Sequence, residues 1–261
     1  MSAVLSGTRV WAIAHNVFRE TVRDKVLYLI LLFAAIMAGA VTLIPEIANG
    51  AHVPVVLNLG LAGINIIGLV VAVFIGAGLM NKEVEKKTVY LLVAKPINRG
   101  ELIVGKHIGL AVTISALLAV MLPIYLGSAT VLGGDVPFGS LALAVAFVFL
   151  ELLVMAGAAI MFGVITSSLL ATLLTLALYV MGHLSHTLLQ FAQNIESIGM
   201  RRLLQGLFLI LPDLTRLNLK NDAIYAQLPS PAELGFSALY SVCYATALLA
   251  IAVLVFSRRQ F

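Results

Sequence analysis

The sequence predicts an all-α integral membrane protein with six transmembrane helices, and three observations carry that prediction. Of its 261 residues, 61% are hydrophobic and 11% charged, against about 45–50% and about 25% in soluble domains. The apolar residues gather into six runs, each near the roughly 17–25 residues that cross a hydrocarbon core, and the mean hydropathy is +1.08. The Lys and Arg residues stand outside those runs or at their ends. The pI of about 9.3 therefore speaks for a positive-inside topology and not for nucleic acid.

Ahead of the first run, residues 8–25 form the pattern of an amphipathic helix. Trp11, Ile13, Ala14, Val17, Phe18 and Val22 recur near helical spacing, with Asn16, Arg19, Glu20, Arg23 and Asp24 opposite. Such a helix lies along the inner membrane surface and leads into the first span. That span covers 26–44. Its apolar start followed by Ala38, Gly39 and Ala40 has some likeness to a cleavable leader, but Glu20 and Asp24 precede it and the run continues to Ile44, so a retained span is expected.

The second span covers 59–80, the third 108–132, the fourth 141–165, the fifth 169–189 and the sixth 236–256. Only Thr166, Ser167 and Ser168 separate the fourth from the fifth. This predicts a tight helical hairpin whose free backbone groups are met by those hydroxyls and by interfacial water. The connection 190–235 is long. Within it 203–211 is apolar but too short to cross, and Pro212 stops it. An interfacial or re-entrant segment and a loop packed on the spans both satisfy that pattern. Cys243, the lone cysteine, lies in an apolar run, forms no intrachain disulfide and is expected to pack.

Charge sets the orientation. With the N-terminus inside, twelve of the 16 Lys and Arg residues fall on the cytoplasmic side. The other four, Arg201, Arg202, Arg216 and Lys220, lie in one long connection, where charge has weaker topological influence than in short loops. Both termini are therefore expected in the cytoplasm.

Residues 81–106 concentrate six of the basic residues between the second and third spans. The second span is expected to continue as a helix past Met80, with Glu83 and Lys87 as an i,i+4 pair. Pro96 disfavours helix at Lys95 and marks a break. Asn98, with Glu101 three residues on, has the spacing of a capping box that starts a new helix rising into the third span. The product is a bent, charged elbow, which composition alone reads as a solvated positive-inside loop.

The elbow resembles the stretch after the second span in permeases of type 2 ATP-binding-cassette (ABC) exporters. The residues that carry the likeness are Glu83 or Glu85, Thr88, Leu91 with Leu92, Pro96, Arg99, and Gly105 with Lys106. Members commonly have Gly before the threonine, where this chain has Lys87. The likeness extends to the amphipathic N-terminal segment, the six spans and the ending Phe256-Ser-Arg-Arg-Gln-Phe, and it is greatest toward the branch that contains the nitrous-oxide reductase maturation permease. The resemblance implies a permease of the bacterial plasma membrane that has no ATPase, cofactor or catalytic residue of its own. ATP and Mg would be held by a separate cytoplasmic ABC ATPase in two copies, and a second permease copy or a homologous permease would complete the pathway. The docking surface would comprise Lys82, Glu83, Glu85, Lys86 and Lys87, then Thr88, Pro96 and Arg99, joined by Arg19 and Arg23 of the N-terminal helix. In keeping with a missing ATPase, Gly105-Lys106 is followed by His107 and not Ser or Thr, and the strand that a phosphate loop requires does not precede it.

Polar residues inside the runs are the remaining candidates. Glu151 falls near the middle of the fourth span, where an unpaired charge costs several kcal/mol. It is expected to be protonated, to pair with a hydrogen-bonding neighbour or to line the translocation pathway, and Asn65 is the second pathway candidate. Asn65, Thr172 and Thr175 have the chemistry of helix-to-helix hydrogen bonding. The small residues Ala159, Gly163, Gly105 and Gly109 favour close helix packing. His183 and His186 stand three apart, but no cysteine or carboxylate is near them in the sequence, so a metal site is not expected. A membrane scaffold or assembly factor is the alternative class. An ion-driven secondary transporter fits less well, since no internal repeat is evident and only Glu151 is a midplane ionisable group.

Overall fold

The described residues of this computed structural model are 7–21, 26–47, 52–85, 98–133, 136–185, 187, 190 and 197–258. Among them there are helices and turns and no strand. Helix α1 (Gly7–Thr21) buries Ala14, Val17 and Thr21 with Val10 and Ile13 beside them, a stripe at helical spacing, and leaves Trp11 63% exposed. The chain then forms α2 (Leu27–Ile47), α3 (His52–Val70), a π-helical turn (Val71–Ile75) and α4 (Gly76–Glu85). After these come α5 (Arg99–Val131), α6 (Phe138–Ile165), α7 (Ser168–His183), α8 (Ile198–Ile210), a 3-10 turn (Leu214–Leu217), α9 (Lys220–Ile224) and α10 (Pro231–Arg258).

Five of these segments are long and apolar enough to cross a membrane: Leu27–Ile47, His52–Met80, Arg99–Val131, Phe138–Ile165 and Pro231–Arg258. Helix α6 is the hub. In its most apolar window 72% of residues are buried, against 17% in α2 and 28% in α10, which present most of their surface outward.

Glycines and alanines bring the helices into close contact. A Cβ on Gly68 would overlap the Leu152 side chain, one on Gly76 would meet Ala159 at 2.8 Å, and one on Gly163 would meet the Ala77 carbonyl at 3.0 Å. The order of these contacts makes α3, the π turn and α4 run parallel to α6. Gly105 and Gly109 do the same for α1, which crosses α5 with Ile13 over Gly105 and Ala14 and Val17 over Gly109. The expected packing role of Ala159, Gly163, Gly105 and Gly109 is thus what the structure has.

Helix starts follow local chemistry. Asn98 and Glu101 form the expected capping box: Asn98 Oδ1 accepts from the Gly100 N–H at 3.3 Å, and Glu101 Oε2 accepts from the Asn98 N–H at 3.1 Å. Helix α10 begins at Pro231, five residues before the apolar run. Ser230 and Glu233 bond each other's backbone N–H groups, and Pro at the first helical position loses nothing. The hairpin between α6 and α7 is as tight as expected, with Thr166 Oγ1 donating to the Phe162 carbonyl at 3.0 Å.

In the fifth apolar run, expected to be helical over 169–189, helix α7 covers Ser168–His183, a turn falls at Leu184, and residues 185, 187 and 190 are again helical among the described ones. Helix α7 stops at His183 after 16 residues, about 24 Å at 1.5 Å per residue and short of a hydrocarbon core of about 30 Å. Gly182 lies beneath Leu214 and Pro212, where a Cβ would meet Leu214 at 2.8 Å and the Pro212 carbonyl at 2.9 Å. The segment 211–224 thereby fills space beside α3, α6 and α7, with Leu214, Leu217, Leu219, Ala223 and Ile224 buried in the main core.

Two smaller expectations are also corrected. Thr172 and Thr175 donate to the carbonyls of Ser168 and Ala171 four residues back in their own helix and not to another helix, a bond a threonine makes without a neighbour. Cys243 is exposed on α10 and does not pack inside.

Candidate functional site

Three polar groups interrupt the apolar packing. The first lies in the core around α6. Glu151 is 1% exposed and Asn65, from α3, is 0% exposed. Asn65 Nδ2 donates to Glu151 Oε2 at 3.1 Å, and the Tyr179 hydroxyl of α7 donates to Asn65 Oδ1 at 2.7 Å. His183, one turn further along α7, places Nε2 3.5 Å from Glu151 Oε1, and its ring lies 4.5 Å from that of Tyr179. That separation is within ion-pair reach, but the alignment is not that of a hydrogen bond, and Glu151 Oε1 has no hydrogen-bond partner. Lys220 of α9 is near enough for its charge to act on Glu151; burial holds the Lys220 ammonium below its ordinary range, and the carboxylate partly offsets this.

The structure therefore brings together Asn65 and Glu151, both expected to face the pathway, and adds His183, Tyr179 and Lys220. The carboxylate that the sequence places 32 positions from His183 is its spatial neighbour. His186 lies outside the described residues. Among the described residues no group of three His, Cys, Asp or Glu side chains is arranged to hold a metal ion.

The second group ties 211–216 down. Asp213 accepts from Ser185 Oγ at 3.0 Å, Thr215 Oγ1 at 2.5 Å and Arg216 Nε at 2.9 Å, while its N–H donates to the Tyr240 oxygen of α10 at 2.8 Å. Burial on its own would raise this carboxyl. The three donated bonds and the Arg216 charge outweigh burial and hold it below the usual carboxylate range. A further bond, from the Tyr244 hydroxyl to the Ile210 carbonyl at 2.7 Å, fixes the end of α8 to the same helix.

The third group gathers where α4, α6 and α10 end and α5 begins. Met80, Leu102, Ile103, Ile160, Val164, Ala252 and Phe256 form a separate apolar cluster there. Arg99 donates from Nη1 to the carbonyls of Phe256 at 2.7 Å and Ser257 at 2.9 Å and lies over the Phe256 ring. It thus satisfies the free carbonyls at the end of α10 and opposes the negative end of that helix. Lys106, 4% exposed, donates to the Leu79 carbonyl at 2.5 Å. Glu101 lies 3.8 Å from Arg9 of α1. The residues Gly100 to His107 are all helical in α5, with the Gly100 N–H met by the Asn98 side chain of the cap.

A profile of the ABC-2 family transporter protein matches residues 11–261, nearly the whole chain. The chain belongs to the ABC-2 transporter family. Among curated proteins, none matches it. An ABC-2 permease is the membrane component of an ABC transporter, lacks a catalytic site of its own and works with an ABC ATPase subunit. Of the docking residues that the resemblance supplies, the permease describes Arg19 as exposed on α1 and Arg99 as bound to the end of α10. Lys86, Lys87, Thr88, Pro96 and Arg23 lie outside the described residues, as does the break at Lys95. Lys82, Glu83 and Glu85 lie on α4, whose last residue is Glu85.

Two features of the permease were missed at the sequence level. Tyr179 orders the Asn65 amide, and Lys220 reaches the core from the outer connection. Tyr179 is four residues before His183 and so shares its helix face, which was a usable signal. Nothing in the local sequence distinguishes Lys220 from a solvated loop lysine.

Proposed function

We propose that this chain is the permease subunit of a type 2 ABC exporter of the bacterial inner membrane. It couples ATP hydrolysis on two copies of a separate ATPase to substrate movement, with a second permease copy or a homologue completing the pathway. The observation that carries the reading is the apolar cluster at the base of the bundle. It joins the ends of α4, α6 and α10 to the start of α5, and these are the ends that the charge pattern assigns to the cytoplasm. Because α6 and α10 both finish there, the chain recrosses the bilayer between them. Helix α7 and the segments after it supply that crossing, which makes six passes with both termini inside.

In this reading the elbow 81–106 docks on the ATPase, together with α1. Two ties make it a lever. Arg99 holds the elbow's exit to the end of α10, and Lys106 holds α5 to the last turns of the second span. A displacement of the elbow is therefore passed to two other spans. Helix α1, with Arg9, Arg19 and exposed Trp11, lies along the inner surface beside it.

The test is copurification with the ATPase encoded alongside the permease. Reversing Lys86 and Lys87 to Glu is expected to lower the retained ATPase by about tenfold or more, equivalent to about 1.4 kcal/mol, with the permease still folded. Unchanged retention would remove the elbow from the docking surface.

A further inference from the structure

We infer that Glu151 and His183 form a single-proton binding site in the membrane core, and that its proton fastens α7 to α6. The inference comes from hydrogen-bond accounting and does not depend on which substrate the permease moves. The Tyr179 carbonyl lies 3.2 Å from His183 Nδ1. A carbonyl only accepts, so Nδ1 carries a hydrogen. The other ring nitrogen, Nε2, then presents a lone pair when the ring is neutral and an N–H when it is charged. It faces Glu151 Oε1 at 3.5 Å. An ionised carboxylate oxygen opposite a lone pair, in a site where Glu151 is 1% exposed, is two electron-rich atoms in a low-dielectric core with nothing between them. A proton on either atom removes the conflict.

The second carboxylate oxygen does not take that role. Tyr179 donates to Asn65 Oδ1, which turns the Asn65 amide N–H group toward Glu151. Oε2 is therefore an acceptor already served, and Oε1 faces the ring. Carboxylic acid with neutral imidazole, and carboxylate with imidazolium, have the same net charge and differ by one proton transfer. The titration belongs to the pair.

The surroundings contain few competing charges. Helix α3 contributes Asn65, and α7 contributes Tyr179 with His183. Helix α5 contributes His107, whose Nε2 lies 3.1 Å from the Leu153 carbonyl, and Lys106, which is bound to Leu79. The 3-10 turn contributes Arg216, held by Asp213. The charged residues of α4 and α10 lie toward the ends of those helices: Lys82, Glu83 and Glu85 in α4, Glu233 and Arg258 in α10. Lys220 of α9 is the cation whose charge acts on Glu151. When the proton leaves, Lys220 is the remaining counter-charge, and it belongs to the outer connection. Proton occupancy thus decides whether α7 or the outer connection balances Glu151.

The test uses the full chain in lipid nanodiscs. Thermal unfolding is followed from about pH 5.5 to about pH 9, spanning the range of histidine switches. Wild type is expected to lose roughly 3–5 °C per pH unit from about pH 6.5, where the unfolded histidine gives up its proton, until the folded pair gives up its own and the slope levels off. Glu151→Gln keeps an N–H on the ring side and an acceptor for Asn65, and is expected to abolish that slope while matching wild type at low pH. Lys220 feels the Glu151 charge, so Lys220→Met is measured alongside and is expected to keep the wild-type slope, while Glu151→Gln loses it. A wild-type slope equal to that of Glu151→Gln would overturn the inference. Should Glu151→Gln fail to fold, the wild type decides through infrared and histidine nitrogen NMR spectra at neutral pH. Acid with neutral ring, or carboxylate with charged ring, supports the site; carboxylate with neutral ring refutes it.

Discussion

Asn65→Leu is expected to destabilise the permease more than any other single polar replacement in its spans. Leucine has similar bulk, so the effect comes from polarity and not from a cavity. The change leaves Glu151 Oε2 and the Tyr179 hydroxyl, which now bond Asn65 at 3.1 Å and 2.7 Å, without those partners in the core. Stranding a buried polar group costs about 1–3 kcal/mol, and more when it is charged, so a total of about 2–5 kcal/mol is expected. An ordinary interhelical hydrogen bond in a membrane is worth only about 0.6 kcal/mol on average. The excess over that figure measures how far the network acts as a unit. Thr175→Val is the comparison. Its hydroxyl bonds its own helix at the Ala171 carbonyl, and its loss is expected to cost under about 1 kcal/mol. Thermal unfolding of both variants in the same detergent checks the contrast, and equal losses would contradict it.

Gly109→Leu is expected to lift α1 from α5. A Cβ there would stand 2.7 Å from the Ala14 carbonyl oxygen and 2.7 Å from Val17 Cβ. Neither is the free end of a flexible side chain, so relief requires one helix to move. Overpacking of this kind costs about 1–3 kcal/mol. Because the contact is local to one face of α1, the cost is expected as detachment of that helix before loss of the bundle. Limited trypsin digestion reads it: cleavage at Arg9 and Arg19 accelerates while cleavage at the other Lys and Arg residues keeps its wild-type rate. Gly127→Leu, where an added Cβ meets nothing within 4 Å, leaves the cleavage rate unchanged. An equal acceleration in both variants would show that α1 is not held at Gly109.

What the sequence made legible was local. The start of α5 was readable because Asn98 and Glu101 complete their capping box within four residues. The packed face of α1 was readable in part: Ile13, Ala14 and Val17 of the expected apolar stripe lie against α5, whereas Trp11 of the same stripe is 63% exposed. The packing against α7 was not readable, since nothing in its apolar composition shows that Leu214 and the Pro212 carbonyl lie against Gly182. Glu151 announced itself as a charge in an apolar run, but its partners did not. An all-apolar helix surface gives no sign of which face meets which neighbour, and Asn65 and His183 reach Glu151 from 86 and 32 positions away. Lys220 was hidden for a related reason: a half-buried loop lysine comes within electrostatic range of a core carboxylate only when the loop packs inward.

The central claim, that the elbow after the second span is the cytoplasmic contact with the ATPase, is tested most directly by photo-crosslinking in intact vesicles. A photoreactive amino acid is placed at Thr88 in one sample and at Leu209, 81% exposed on α8, in another. A covalent adduct with the ATPase is expected from position 88 and none from position 209. An adduct from position 209, or none from position 88 in a complex that still copurifies, would contradict it.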